Sequence, residues 1–199
     1  MKMQACIGFI GIIGSIFTIC VFSRKKLKNT SYSIYFRVMA VIDCIVLAHI
    51  YRHWTRVVLN YDIDLISPLF CKFNEYQPFV AAHIQLWLLT VILVDRLVAI
   101  VYHNKFTFFK KPWFQKIVIL FVFAYCLLTH LIMPLNYEIK FVKTPLINES
   151  YKIVKVCYLP VKMFNLNNFL FLLNTLATIC INSVLNAKLI SFIFKSRKK

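Results

Sequence analysis

Asp95 and Arg96 stand side by side at the end of a long apolar segment, and Cys71 lies twenty-five residues before Arg96. Charges at a membrane border lose hydration, so an acid–base pair held there implies a use for it. A charge-assisted contact of this kind breaks on protonation or helix movement, which is the chemistry of a switch rather than of bond making. Asp43, inside Met39-Ala40-Val41-Ile42-Asp43, is a lone mid-segment carboxylate, a placement unfavourable by a few kcal/mol and a functional-site hypothesis by default. His49 and His53 are four apart, as two metal ligands on one helix face would be. The remaining histidines, His83, His103 and His130, form no further pair along the sequence, so packing or polar lining is expected instead of a metal centre. No Cys-x-x-Cys, Gly-x-Ser-x-Gly, His-Glu-x-x-His or phosphate loop occurs, and the chain is read as a non-enzyme.

The elements that position these residues follow from composition. Hydrophobic residues make up 60% of the 199 and charged residues 16%, with a mean hydropathy of +0.71. Soluble domains are closer to half apolar and a quarter charged. The surplus lies in runs of roughly twenty residues, the length that crosses a hydrocarbon core at ~1.5 Å rise per residue. Glycine and proline are scarce, which favours helices over a barrel of short strands. The expected fold is all-α: one polytopic transmembrane helix bundle over residues 1–199. Its five spans are predicted near 4–22, 32–57, 68–102, 113–134 and 164–194. The first is read as a retained span and not a cleaved signal peptide, because no small-x-small pattern precedes its basic end.

The net charge of +17 sits in short clusters between the apolar runs. Arg24 to Lys28, Lys105 with Lys110 and Lys111, and Lys195 to Lys199 fall on one side, which is therefore expected to be cytoplasmic. Five lysines between 140 and 162 on the other side are spread along a longer loop, where that rule has less force. This placement argues against nucleic-acid binding and leaves the amino terminus outside, in a multi-pass protein of the plasma membrane.

The segment Leu88-Leu89-Thr90-Val91-Ile92-Leu93-Val94-Asp95-Arg96-Leu97-Val98-Ala99-Ile100 closely resembles the third transmembrane helix of rhodopsin-like G-protein-coupled receptors. That family places Asp-Arg-Tyr at the cytoplasmic end and a disulfide cysteine twenty-five residues earlier; here Leu97 replaces the Tyr. The resemblance implies that Arg96, restrained by Asp95, is the residue that meets a heterotrimeric G protein. It implies a Cys71–Cys157 disulfide pinning the loop before the fifth span over the third, on a side where oxidation is permitted. It also matches Asp43 to the family's sodium-binding carboxylate, with Ser15 and Gln85 as its polar neighbours. The Asn148-Glu149-Ser150 sequon lies in the same outer loop and is a candidate glycosylation site.

A ligand pocket in this family lies among the outer halves of the helices, where Trp54, Glu75, Gln77, Phe79, Tyr137 and Tyr158 are candidates beside Gln85. Pro78 stands where amine receptors carry an Asp, so a peptide or non-amine small molecule is the expected ligand. The family has seven spans; its sixth, with a Trp-Pro toggle, and its seventh, with Asn-Pro-x-x-Tyr, have no counterpart in these 199 residues. The expectation is a receptor incomplete as given. The alternative is a truncated, non-signalling chain that associates with full-length receptors. A small transporter is disfavoured, since only Asp43 is offered at mid-membrane.

Overall fold

The computed structural model describes residues 2–28, 30, 32–59, 65–101, 111–145 and 151–197. It runs α1 (Lys2–Ser23), α2 (Lys25–Lys28), α3 (Ser33–Leu59), α4 (Pro68–Val101), α5 (Pro112–Thr129), α6 (Ile132–Asn136), β1 (Glu138–Pro145), β2 (Tyr151–Tyr158) and α7 (Val161–Arg197). Among the described residues four helices are long and apolar enough to cross a membrane. They are Ser33–Arg52 in α3, Pro68–Val101, Pro112–Asn136 across α5 and α6, and Val161–Lys195 in α7. In α1, over the first expected span, Gly8–Ser23 forms a shorter apolar helix.

α4 is the axis of the bundle, with α3, α5 and α7 packed around it. Its Val80, Ala81, Ile84, Leu88 and Ile92 recur at helical spacing and bury one stripe against Tyr35 and Ile42 of α3 and Val122 and Cys126 of α5. α1 lies along α3, and glycine permits the approach. A Cβ on Gly11 would stand 2.9 Å from a Leu47 methyl, so a larger residue there must displace that side chain. The fully buried Ser33 hydroxyl donates to the Phe22 carbonyl at 2.8 Å, satisfying an acceptor that the end of α1 leaves open.

Two prolines shape the helices that carry the polar residues. Pro78 lies inside α4 and has no N–H for the Asn74 carbonyl four residues earlier. Arg52 of α3 supplies the missing donor, its Nη2 reaching Asn74 O at 3.2 Å. Pro134 does the same to the His130 carbonyl. There α5 stops at Thr129, the Met133 N–H takes His130 O at 3.0 Å in a tighter turn, and α6 resumes. His130 thus sits at a helix break.

One element is added to the expected helix bundle. The segment before α7 is an antiparallel hairpin, β1 against β2, in register from Glu138↔Tyr158 to Pro145↔Tyr151. Ile139, Phe141, Val142, Ile153, Val154 and Val156 are residue types that favour extended chain. The interleaved lysines blur that signal in the sequence. A Cys71–Cys157 disulfide ties β2 to the start of α4, with Cα atoms 5.7 Å apart. Around it Cys71, Met133, Tyr137 and Leu159 are buried together, so the hairpin, α6 and the starts of α4 and α7 form a second small core.

Candidate functional site

Three polar nodes lie along α4, and helix packing builds each of them. At one end of α4, Asp95 is buried and Arg96 is 37% exposed; their side chains approach to 4.0 Å. The closer partner of Arg96 is Tyr32: the guanidinium carbon stands 3.8 Å from the ring centroid. Tyr32 is braced edge-on by Phe22 and Phe36, which stack on each other at 4.8 Å. The cation–π contact is worth about 0.5–1 kcal/mol at an exposed site. Arg96 is therefore parked on the junction of α1 and α3, held by an aromatic face as well as by its neighbour's charge. Tyr32 escapes sequence reading because nothing in its spacing points to Arg96. Leu97 is half-buried beside them.

The middle node joins Asp43 of α3 to Gln85 of α4, whose side-chain amide donates to the carboxylate oxygen Oδ1. The contact gives a lone carboxylate the partner that its burial requires. Ser15 is buried on α1, but no hydrogen bond joins it to this pair among the described residues. A sodium shell needs several oxygen ligands, whereas here an amide N–H already occupies one carboxylate oxygen. Among the described residues the arrangement is a carboxylate hydrogen-bonded to one side-chain amide.

The third node joins two histidines that no sequence spacing pairs. His83 of α4 and His130 at the break after α5 meet, Nδ1 to Nε2, at 2.6 Å, and both are almost wholly buried. His83 Nε2 lies 3.2 Å from the Thr175 hydroxyl, His83 Nδ1 faces His130 Nε2, and His130 Nδ1 lies 3.0 Å from Asn167 Oδ1, with the donor at each contact set by which ring nitrogens carry protons. Phe171 stacks on His83 with ring centroids 4.6 Å apart. Three helices are thereby latched by one chain of hydrogen bonds. Forty-seven residues separate the two histidines, so only helix register brings them together. The one sequence cue was Pro134, which breaks the helix at His130.

This latch has a measurable consequence. His83→Leu leaves the buried His130 nitrogen without its partner and is expected to destabilise by roughly 1–3 kcal/mol. His130→Leu should do the same, and the double variant should lose less than the sum. Thermal unfolding of the purified chain in detergent checks this; strictly additive losses would show that the rings are not coupled.

Among the described candidate ligand residues, Phe79, Tyr137 and Glu75 lie together at the disulfide core, while others serve contacts between elements. Gln77 donates to the Ile45 carbonyl at 3.0 Å and ties α4 to α3. Phe79 packs edge-on against Phe171 beside the histidines. Tyr137 is buried in the disulfide core, where burial and then the Glu75 charge push its phenol up to about 12. Tyr158 lies under the Lys140 ammonium, 4.4 Å from its ring centroid. Asn148 and the Trp54 side chain fall outside the described residues, as do His103 and the His53 side chain. The described cavities are elsewhere. One of about 240 Å³ is lined by Tyr35, Trp87, Thr90 and Asp95, and another of about 380 Å³ by Tyr125, Thr129, His130 and Asn174. No group of three or more metal-binding side chains gathers among the described residues.

No protein-family model matches this chain, and no curated protein does.

Proposed function

We propose that this chain is the transducing part of a rhodopsin-like G-protein-coupled receptor, with the Arg96 end of α4 facing the cytoplasm and the hairpin outside. One observation carries the reading. A single long helix has a disulfide to a hairpin at one end and a parked Asp-Arg pair at the other, with a mid-helix polar tie between them. A receptor needs these parts in this order: an anchored outer lid, a packed shaft and a releasable cation on the inner face. Arg96 suits the last role because it is itself part-exposed and is held only by an aromatic face and a 4.0 Å ion pair to the buried Asp95.

Ligand, G-protein class and plasma-membrane location belong to the same proposal. The pocket is assigned to the outer end, beneath the hairpin, for a peptide or non-amine small molecule. Asn148 there is a candidate for glycosylation. The test is G-protein nucleotide exchange by the complete reading frame reconstituted in bilayers. Exchange above the empty-bilayer rate supports the reading, and baseline exchange from protein correctly delivered to the cell surface counts against it.

A second reading rests on α7. Leu172, Leu173, Leu176, Ile179 and Val184 are exposed along it, while Asn182 Oδ1 is buried with no partner among the described residues. A non-signalling chain that associates with full-length receptors would use this surface to dock their helices.

A further inference from the structure

α3 and α5 both pack near α4 but leave a cleft between them. Two adjoining cavities of about 540 Å³ each occupy it, sharing Ile34, Val38, Lys116 and Phe123. Its walls are apolar except at one end, where Arg37 and Lys116 line it. Each is the fifth residue of its helix, counted from Ser33 and Pro112. At ~1.5 Å per residue both cations therefore stand one turn inside the bundle from the Arg96 end. Trp113, largely exposed at the start of α5, is the amphipathic side chain expected at headgroup level.

Neither cation has an acidic partner among the described residues. Arg37 Nε makes only a long contact of 3.4 Å to the Ser33 carbonyl of its own helix, and no ion pair involves Arg37 or Lys116 among the described residues. Acids are few, 7 against 24 lysines and arginines, and Asp43 is already bonded to Gln85. Two unpaired cations at the mouth of an apolar slot have the complementary shape and charge of a phosphate diester carrying an acyl chain. Basic pockets between membrane helices on the cytoplasmic side recognise such headgroups. A docked helix from another protein would bury both cations without counter-charge, and a sterol would offer them one hydroxyl.

We propose that the α3–α5 cleft is a binding site for one anionic phospholipid, its phosphate held by Arg37 and Lys116 and one acyl chain lying against Val38 and Phe123. Only the choice of leaflet depends on the receptor reading, so failure of nucleotide exchange leaves this site untouched.

The experiment is native mass spectrometry of the full 199-residue chain extracted from vesicles of phosphatidylcholine with a minor fraction of phosphatidylserine. One retained lipid is expected, with phosphatidylserine enriched over phosphatidylcholine by about tenfold or more, as two headgroup cations supply. R37Q/K116Q should bring the enrichment close to parity, while K116R keeps it. V38W should reduce retention with both charges intact. R24Q/K26Q, which removes charge from the neighbouring basic cluster, should leave it unchanged. Enrichment that survives R37Q/K116Q, or that falls equally with R24Q/K26Q, would overturn the proposal. So would retention indifferent to V38W, or a retained sterol that ignores both cations.

Discussion

Arg96→Ala is expected to lower G-protein nucleotide exchange by at least about tenfold, within the range of an ordinary coupling energy of roughly 1–3 kcal/mol. Surface delivery should hold, because what Arg96 gives the fold is small. It is 37% exposed, its ion pair is 4.0 Å long, and its aromatic contact is worth about 0.5–1 kcal/mol. Loss of exchange with normal delivery therefore reports on transduction and not on folding. Arg96→Lys separates the two ways in which the residue is held. It keeps the charge beside Asp95 but loses the planar stack on Tyr32, and should fall between wild type and alanine. Tyr32→Leu frees the guanidinium without removing it and is expected to raise basal exchange. Unchanged exchange in Arg96→Ala would remove the switch role assigned to it.

The second large effect concerns the disulfide. Cys71→Ser and Cys157→Ser should each sharply lower the amount of protein at the cell surface, and the double variant should be no worse than either. The bridge closes a separation of 86 residues, for which a chain-entropy treatment gives between about 4 and 5 kcal/mol. That is an upper bound here, since helices already inserted in a bilayer restrict the unfolded chain; roughly 2 kcal/mol is the expected loss. Local packing adds to it on one side. Cys71 is buried against Met133, Tyr137 and Leu159, so a serine there also buries a hydroxyl, and Cys71→Ala isolates the loss of the bridge. Losses that simply add would show that the two positions act separately.

Much of this fold is legible in the sequence, for a physical reason. Apolar length and basic ends mark membrane helices directly, so α3, α4, α5 and α7 lie within a few residues of the segments expected for them. Cys71 with Cys157 and Asp43 with Gln85 were named from the receptor resemblance, and the structure joins each pair. The contacts that sequence reading missed are those that depend on rotation between helices. His83 meets His130, and Tyr32 meets Arg96, through the register of packed helices, which no linear spacing encodes. Two sites have a half-visible cue in proline. Pro78 announces an orphaned carbonyl at Asn74, and Pro134 announces a break at His130, although neither says which side chain responds. The hairpin is less legible because lysines interleave its β-branched residues and blur the strand pattern.

The measurement that bears most directly on the receptor reading is the reading frame beyond the codon for Lys199. Two further apolar spans are expected there, the first bearing Trp-x-Pro and the second Asn-Pro-x-x-Tyr, completing the bundle around α4 and α7. A stop codon directly after Lys199, or a frame that continues without such spans, would contradict a chain that signals through its own helices.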